Sequence, residues 1–252
     1  METIKSKIDS SNISFLQFLI IFICFFLNII DGMDVLVISY TAPVIASSWD
    51  ISFEALGVVF SSGVLGMAIG ALLLAPYADN IGRKKIILIS TIIISIGILL
   101  TGFSKNIYHL IFLRFLSGIG IGTMLASTVS LVSEYTPNRS RDFWVSFILA
   151  GYPIGAILAG YLSNYILKYY SWEVVYIIFG IISIFFIPII YFFLLESVDF
   201  LLKNQPKNAL SRVNLILKKL DFSKIDSLPN KVNLASKIPV NSLFQAKHID
   251  ST

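Results

Sequence analysis

Two acidic residues stand one helical turn apart inside a long apolar segment, residues 15–40. Asp31 and Asp34 occupy positions i and i+3, and Arg114 lies inside another apolar segment. A charged side chain at the centre of a membrane costs about 2.5–3.5 kcal/mol on insertion scales, so charges retained there mark functional sites. The three residues therefore predict a polar pathway through a membrane protein.

Asn28 extends the two acids into a polar stripe, because residues three apart share one face of a helix. At 1.5 Å per residue, Asp34 lies ~9 Å from Tyr40 and Arg114 lies ~8 Å from His109, near the predicted outer end of each helix. This similar depth permits a pair between the two helices.

Two interpretations of such a pair stay open. One is a structural ion pair that holds two helices together. The other is a proton site with a nearby cation for an anionic substrate. Burial disfavours the charged form of a carboxylate, whereas a neighbouring arginine favours it. Occupancy or movement of Arg114 would therefore couple proton binding to substrate binding.

Six apolar stretches dominate the 252-residue chain, which is 56% hydrophobic and 13% charged and has a mean hydropathy of +0.82. A soluble domain typically carries about 25% charged residues. Each stretch is about long enough to cross a ~30 Å hydrocarbon core as a helix, and helices satisfy their own backbone hydrogen bonds there. The sequence predicts an all-α membrane protein whose six transmembrane helices lie within residues 15–40, 54–77, 86–103, 110–134, 143–167 and 174–195.

The basic residues predict the orientation of these helices. They precede the first helix, occupy the second-to-third and fourth-to-fifth loops, and recur nine times after Leu195, whereas the opposite loops hold only Lys105 and Lys168. Cytoplasmic loops carry an excess of Lys and Arg. We therefore expect both termini in the cytoplasm.

The chain divides into three parts by composition. Residues 1–14 are a cytoplasmic N-terminus, 15–195 are the six-helix membrane domain, and 196–252 are a polar, basic linker. Within the linker, apolar residues recur at helical spacing and Pro206 can open a helix, so an amphipathic helix is predicted over residues 206–220.

Small residues four apart let helices approach closely in lipid. We expect helix packing to be the role of six glycines, with a flexing role as the alternative: Gly66, Gly70, Gly118, Gly122, Gly151 and Gly155. The predicted third and sixth helices carry no ionisable residue and are apolar all round, which indicates that they face lipid. We expect the other four helices to line an interior surface.

Several kinds of chemistry are excluded. Cys24 is the only cysteine, and His109 and His248 are predicted on opposite sides of the membrane, so we expect no disulfide framework and no metal site. No histidine lies within a predicted helix, which argues against an intramembrane protease. A Gly-rich phosphate loop of the Lys-Ser/Thr type is missing, so ATP is not the evident energy source. We expect no cofactor, no enzymatic activity and no nucleic-acid partner.

The loop at residues 75–85 resembles the signature loop between the second and third helices of the major facilitator superfamily. Asp79, Gly82, Arg83 and Lys84 match the family pattern, although Ala75 replaces its leading Gly and the first Arg of the pattern is missing. The resemblance implies one six-helix half of a twelve-helix transporter, in which this loop latches against the other half. A simple cytoplasmic anchor is the alternative.

Two further stretches are similar to aromatic acid:proton symporters of that superfamily. Asp31-Gly-Met-Asp34 resembles their first-helix motif, and residues 114–122 running on to 133–137 resemble their fourth helix and its cytoplasmic exit. Glu134 and Arg139 at that exit are assigned to the latch by this resemblance. Glu196-Ser197 resembles the Pro-Glu-Ser that often follows the sixth helix.

The resemblance implies a secondary transporter in a bacterial inner membrane, with protons and a small organic anion such as an aromatic acid as its cargo. It also implies that the chain supplies one half and most of the linker, and needs a C-terminal six-helix half as its partner. A truncated or split gene product, an inactive half, and a transporter for another solute remain as alternatives.

Overall fold

The computed structural model describes residues 7–11, 13–220 and 222–229. Within them the secondary structure is helical, and six helices are long and apolar enough to cross a membrane. They are α1 (Phe15–Trp49), α2 (Glu54–Ile81), α3 (Arg83–Thr101), α4 (Ile107–Tyr135), α5 (Asn138–Leu167) and α6 (Trp172–Phe193). Two short helices follow, α7 (Val198–Asn204) and α8 (Ala209–Lys219). The predicted fold class and number of transmembrane helices are therefore confirmed.

Helix α1 begins with a capping box. The Ser14 hydroxyl accepts a hydrogen bond from the backbone N–H of Gln17, whose side chain accepts one from the backbone N–H of Ser14. The helix then runs for 35 residues and passes through Pro43. A proline removes one intrahelical hydrogen bond, which a helix in a membrane tolerates when neighbouring groups compensate. The predicted end at Tyr40 was therefore wrong, since α1 continues to Trp49.

Helix α2 changes its winding along its length. The α-helical winding covers Phe53–Ile69, which begins one residue before the membrane span. It is followed by a π-helical turn, Gly70–Leu74, by a 3₁₀ turn, Ala75–Tyr77, and by a last α-helical turn. Pro76 lies in that 3₁₀ turn. A proline has no backbone N–H to donate, which accounts for a local break from the α-helical pattern.

The bundle has α1 and α4 as its most buried helices. α1 packs mainly against α5, while α4 lies between α2 and α3, and α3 also packs against α6. Residues 7–11, α7, and the α2–α3 and α4–α5 loops meet at one end, where Asn138 binds Asp9 and Tyr135 binds the Glu196 carbonyl. We call this the linker end.

The third and sixth helices are not apolar on every side, so that part of the sequence interpretation was wrong. The hydroxyls of Ser95 on α3 and Ser183 on α6 lie 2.7 Å apart in the core. Hydroxyl pairs of this kind bind helices to each other within a bilayer. Half of the most apolar window of α3 is buried inside the bundle.

The part of the linker that the structure describes, residues 196–220 and 222–229, contains two helices rather than one. α8 begins at Ala209 instead of Pro206, because Asn208 adopts a left-handed conformation at its N-cap (φ 61°). α8 buries Val213, Ile216 and Leu217. The predicted amphipathic character is thus seen, with a later start.

Candidate functional site

Asp34 and Arg114 form an ion pair between α1 and α4. Asp34 Oδ1 lies 2.7 Å from Arg114 Nη2, and Arg114 Nη1 donates to the backbone carbonyl of Asp34 at 3.0 Å. The two side chains are 0% and 5% exposed, so water does not screen the pair. Two contacts from one guanidinium to one residue fix the orientation of the guanidinium and also pair its charge.

Arg114 also contacts an aromatic side chain on a third helix, Tyr176 on α6. The guanidinium carbon of Arg114 lies 5.5 Å from the ring centroid of Tyr176 on α6. The Tyr176 hydroxyl is 2.9 Å from the hydroxyl of Thr41 on α1. A cation over an aromatic face gains about 0.5–2 kcal/mol, with the larger value in desolvated sites. Arg114 therefore interacts with α1 and α6 at once.

Asp31 is buried but has no comparable partner. It is 1% exposed, and among the described residues neither carboxylate oxygen has a hydrogen-bond partner. Asn28, one turn earlier, uses its amide N–H to bind the Cys24 carbonyl at 2.9 Å, while its amide oxygen is also without a donor there. Two neighbouring acids of one stripe thus have different environments.

A small cavity of about 60 Å³ borders the ion pair. Residues of α1, α2 and α4 line it, among them Asp34, Gly63, Met67, Arg114 and Ser117. The pair therefore lies beside a small cavity, although its two side chains are almost fully buried. Its position along α1 differs from the prediction, because the extension of this helix to Trp49 places Asp34 ~22 Å from the helix end.

The six glycines assigned to packing lie where helix backbones touch. A Cβ atom added at any of them would collide with a backbone carbonyl of the neighbouring helix. Gly66, Gly70, Gly118 and Gly122 lie between α2 and α4, and Gly151 and Gly155 lie between α5 and α1.

At the linker end, Arg83 joins two acids. Its Nη2 is 3.1 Å from Asp79 Oδ1, and its Nε is 2.5 Å from Glu134 Oε1. The other Glu134 oxygen accepts a hydrogen bond from the Ser197 hydroxyl. The α2–α3 loop is thereby tied to the end of α4 and to the linker.

Glu196 completes this cluster. Its Oε1 accepts from the backbone N–H of Lys84 at 3.0 Å and from that of Ser197 at 3.1 Å. A carboxylate at this position interacts favourably with the positive end of the α3 dipole. Gly82, at φ 109°, leaves room for it. We call Asp79, Arg83, Glu134, Glu196 and Ser197 the linker clasp.

Arg139 contacts a different segment of the chain from Arg83. Arg139 Nη2 donates to the Ser11 carbonyl at 3.1 Å, next to the Asp9–Asn138 contact. It therefore joins the start of α5 to the N-terminal segment. Lys84 donates through Nζ to the Tyr191 carbonyl at 2.7 Å.

Sequence reasoning missed Tyr176 as a contact of Arg114 and Glu196 as a member of the clasp. The buried residues Trp172, Tyr176, Phe179 and Ser183 recur every three or four positions on α6. That spacing is the signal that could have identified an inward face. For Glu196 the only signal was its likeness to the Pro-Glu-Ser motif.

Comparison with known proteins identifies the family. The sequence model described as "Major Facilitator Superfamily" matches residues 22–243. The chain belongs to the Major Facilitator Superfamily. Members of this superfamily are membrane transporters, so the chain is an integral membrane protein of a transporter family and not an enzyme.

Among its relatives in the Major Facilitator Superfamily, the gallate transporter of Pseudomonas putida is 36% identical over 202 residues, which are 80% of this chain and 45% of that protein. The 4-hydroxybenzoate transporter PcaK of Acinetobacter baylyi is 31% identical over 98% of this chain and 55% of its own length. The chain thus spans about half the length of the curated relatives it matches.

The fold of this superfamily is also seen in a solved structure. The proton:xylose symporter XylE, bound to 6-bromo-6-deoxy-D-glucose, superimposes with a TM-score of 0.72 at 19% identity. The match covers 82% of this chain and 50% of XylE. At this identity the likeness shows the six-helix fold alone.

Proposed function

We propose that this chain forms the N-terminal half of a proton-coupled symporter for an organic anion, with aromatic acids as the favoured class. The observation that carries the proposal is the buried ion pair of Asp34 and Arg114 at 2.7 Å, beside a second acid, Asp31, that has no cation partner among the described residues. Binding sites of secondary transporters lie near the middle of the bilayer, where two six-helix halves meet. The names of the gallate and 4-hydroxybenzoate relatives support the substrate class.

Arg114 is the anion-binding group in this proposal. A guanidinium binds carboxylates through two parallel hydrogen bonds, and an incoming carboxylate competes with Asp34 for them. The cavity beside the pair gives a small anion a place to begin that exchange. Tyr176 offers a ring surface to the guanidinium whichever carboxylate it holds, and so keeps it oriented.

Asp31 is the proton carrier. Arg114 already balances the charge of Asp34, whereas among the described residues Asp31 has no cation within ion-pair distance. An isolated buried carboxylate costs so much free energy that it takes up a proton instead. The amide oxygen of Asn28, which shares this helix face, also has no donor among the described residues.

The linker clasp belongs to the conformational cycle of the whole transporter. Arg83 and Glu134 join the α2–α3 loop to α4 at the side that the basic residues assign to the cytoplasm. A cycle in which one bundle rocks against another needs contacts that form in one state and break in the other. We propose that this clasp docks on the partner half in one of the two states.

Two other functions are consistent with family membership. One is transport of a different small solute, which the Asp34–Arg114 pair does not favour because it presents a cation to the cavity. The other is a half that packs against a partner without transporting. Measuring which solutes are transported distinguishes both functions from the main proposal.

The test is co-reconstitution of residues 1–252 with a complementary six-helix half in liposomes. We expect saturable uptake of gallate or 4-hydroxybenzoate that rises when the outside is more acidic. Residues 1–252 alone should give none, because half of the substrate site is missing. Uptake that does not depend on the pH gradient would exclude proton coupling. Uptake of uncharged solutes alone would exclude an organic anion as the substrate.

A further inference from the structure

Gly63 on α2 differs from the other glycines at the contact between α2 and α4. A Cβ atom added at any of those would lie 2.0–2.2 Å from a backbone carbonyl oxygen of the facing helix; they are Gly66, Gly70, Gly118 and Gly122. Among the described residues, a Cβ at Gly63 would meet within 4 Å only the carbonyl oxygen of Arg114, at 3.7 Å, which is an ordinary contact. Helix packing therefore does not require a glycine at position 63.

Gly63 lines the cavity of about 60 Å³ beside the Asp34–Arg114 pair. Because a Cβ at this position would have almost no neighbours, the missing side chain leaves space in the cavity. Much of the remaining wall is apolar and includes Ile38, Val59, Met67 and Ile121. The absence of a side chain at Gly63 thus has a consequence for the cavity rather than for the contact between the helices.

The cavity also has a polar side. Asp34, Arg114 and Ser117 are the polar side chains among its lining residues. The Ser117 hydroxyl donates to the backbone carbonyl of Arg114 at 3.2 Å. Nε of Arg114 is buried and has no acceptor among the described residues. The guanidinium therefore keeps an unused N–H donor, which a carboxylate entering the cavity can accept from.

The size of the cavity determines which part of a substrate fits. An apolar cavity of about 150 Å³ holds benzene, so a cavity of about 60 Å³ is too small for an aromatic ring. A water molecule needs about 10–15 Å³, so a carboxylate, with two oxygen atoms, fits. The cavity is therefore large enough for the acidic group of an aromatic acid and not for the whole molecule.

An aromatic side chain lies where the ring would remain. Phe60 and Val64 line the same cavity and are 38% and 64% exposed, so the cavity reaches the surface of the bundle on their side. Aromatic rings attract each other in offset or edge-to-face arrangements. A ring that stays outside the cavity can therefore pack against Phe60.

We propose that Gly63 is a specificity-determining residue that keeps open a cavity for the carboxylate of an aromatic acid beside Arg114, while the ring stays outside at Phe60. This inference rests on the proposed function and adds the orientation of the substrate to it. A substituent ortho to the carboxylate enters the cavity together with it, whereas a para substituent points away. The cavity therefore selects benzoates that carry no ortho substituent.

The test uses residues 1–252 assembled with the complementary six-helix half in liposomes and measures initial rates of 4-hydroxybenzoate uptake. Gly63→Ala should raise KM about tenfold with little change in kcat, because one extra methylene in a binding pocket changes discrimination about 10–200-fold. Gly57→Ala is the matched control on the same helix. A Cβ there has nothing within 4 Å, and Gly57 does not line the cavity, so KM should stay unchanged.

The melting temperature in detergent separates a loss of space from a loss of packing. Gly63→Ala should melt no lower than the unaltered chain. Gly66→Ala should melt lower, because its Cβ would lie 2.2 Å from the carbonyl oxygen of Phe115. A higher KM in Gly63→Ala together with the same decrease in melting temperature as in Gly66→Ala would overturn the proposal, since it would indicate a packing role.

Competition between two isomers tests the orientation of the substrate. Ortho-methylbenzoate and para-methylbenzoate have the same charge and composition and differ in the position of the methyl group. The para isomer should inhibit uptake at a concentration about tenfold lower than the ortho isomer. Equal inhibition by both isomers would overturn the proposal.

The outcomes also distinguish this subsite from the proposed function. Normal uptake by the unaltered assembly with an unchanged KM in Gly63→Ala would reject the subsite alone. Absence of aromatic acid uptake by the unaltered assembly would reject the proposed function and the subsite with it.

Discussion

The carboxylate of Glu196 occupies the space that Gly82 leaves by having no side chain. A Cβ at Gly82 would collide with this carboxylate, and the backbone there is left-handed at φ 109°. The α2–α3 loop and the start of the linker are therefore shaped to each other. This relationship connects a residue of the family signature loop to one that follows the sixth helix.

The first prediction is that Gly82→Ala destabilises the linker end. A left-handed conformation costs a residue with a side chain about 1–3 kcal/mol, and Glu196 must also move away from the start of α3. We expect a lower melting temperature in detergent. Gly57→Ala is the control, because a Cβ there has nothing within 4 Å; an equal decrease in both variants would contradict the contact.

The second prediction compares the two acids that contact Arg83. The side chain of Glu134 is 13% exposed and that of Asp79 is 73% exposed. Breaking a buried pair costs about 3–5 kcal/mol, whereas an exposed pair contributes about 0–1 kcal/mol. Glu134→Gln should therefore lower the free energy of unfolding much more than Asp79→Asn, as measured by denaturation in mixed micelles.

The third prediction separates the roles of Asp31 and Asp34 in the assembled transporter. Asp31→Asn keeps the shape of a protonated acid, so we expect substrate exchange to continue while accumulation driven by a pH gradient is lost. Asp34→Asn leaves Arg114 buried without a counter-ion, which costs about 3–5 kcal/mol. We expect it to lower stability as well as accumulation.

Radiolabelled aromatic acid in liposomes provides both measurements for these variants, with and without a pH gradient. Unaltered gradient-driven accumulation in Asp31→Asn would exclude that residue as the proton carrier. Loss of accumulation in Asp34→Asn alone would assign the proton to Asp34.

The fourth prediction concerns the contact between α1 and α5. A Cβ at Gly155 would collide with the Ile29 carbonyl, which belongs to backbone and cannot rotate away. Overpacking of this kind costs about 1–3 kcal/mol. Gly155→Ala should lower the melting temperature, with Gly57→Ala again as the control; unchanged melting would show that the helices can separate without cost.

The fifth prediction concerns orientation. Single cysteines in a Cys24→Ser background should react with a membrane-impermeant reagent from the cytoplasmic side at positions 83, 139 and 218. Those at positions 105 and 168 should react from the outside. A cysteine at position 5, which lies outside the described residues, should react from the cytoplasmic side. Labelling of position 105 only from the cytoplasm would reverse the topology.

The sequence by itself determined which segments are membrane helices and which residues inside them are exceptional. Hydropathy over some 20 residues is a local property, so six helices could be predicted, and the cost of a charge in hydrocarbon identified Asp31, Asp34 and Arg114. Spacing of four between glycines predicted close approach of helices. Helix ends were predicted less well, because Pro43 did not stop α1.

Only the tertiary structure decided which acid meets the arginine. Asp31 and Asp34 share a helix face, and nothing local distinguishes them, but the rotation and crossing of α1 against α4 bring only Asp34 to Arg114. The same holds for Tyr176 and Glu196, whose partners are 62 and 114 residues away in sequence, at Arg114 and Gly82. Contacts of this kind depend on how helices pack, and packing is a property of the whole bundle rather than of any one segment.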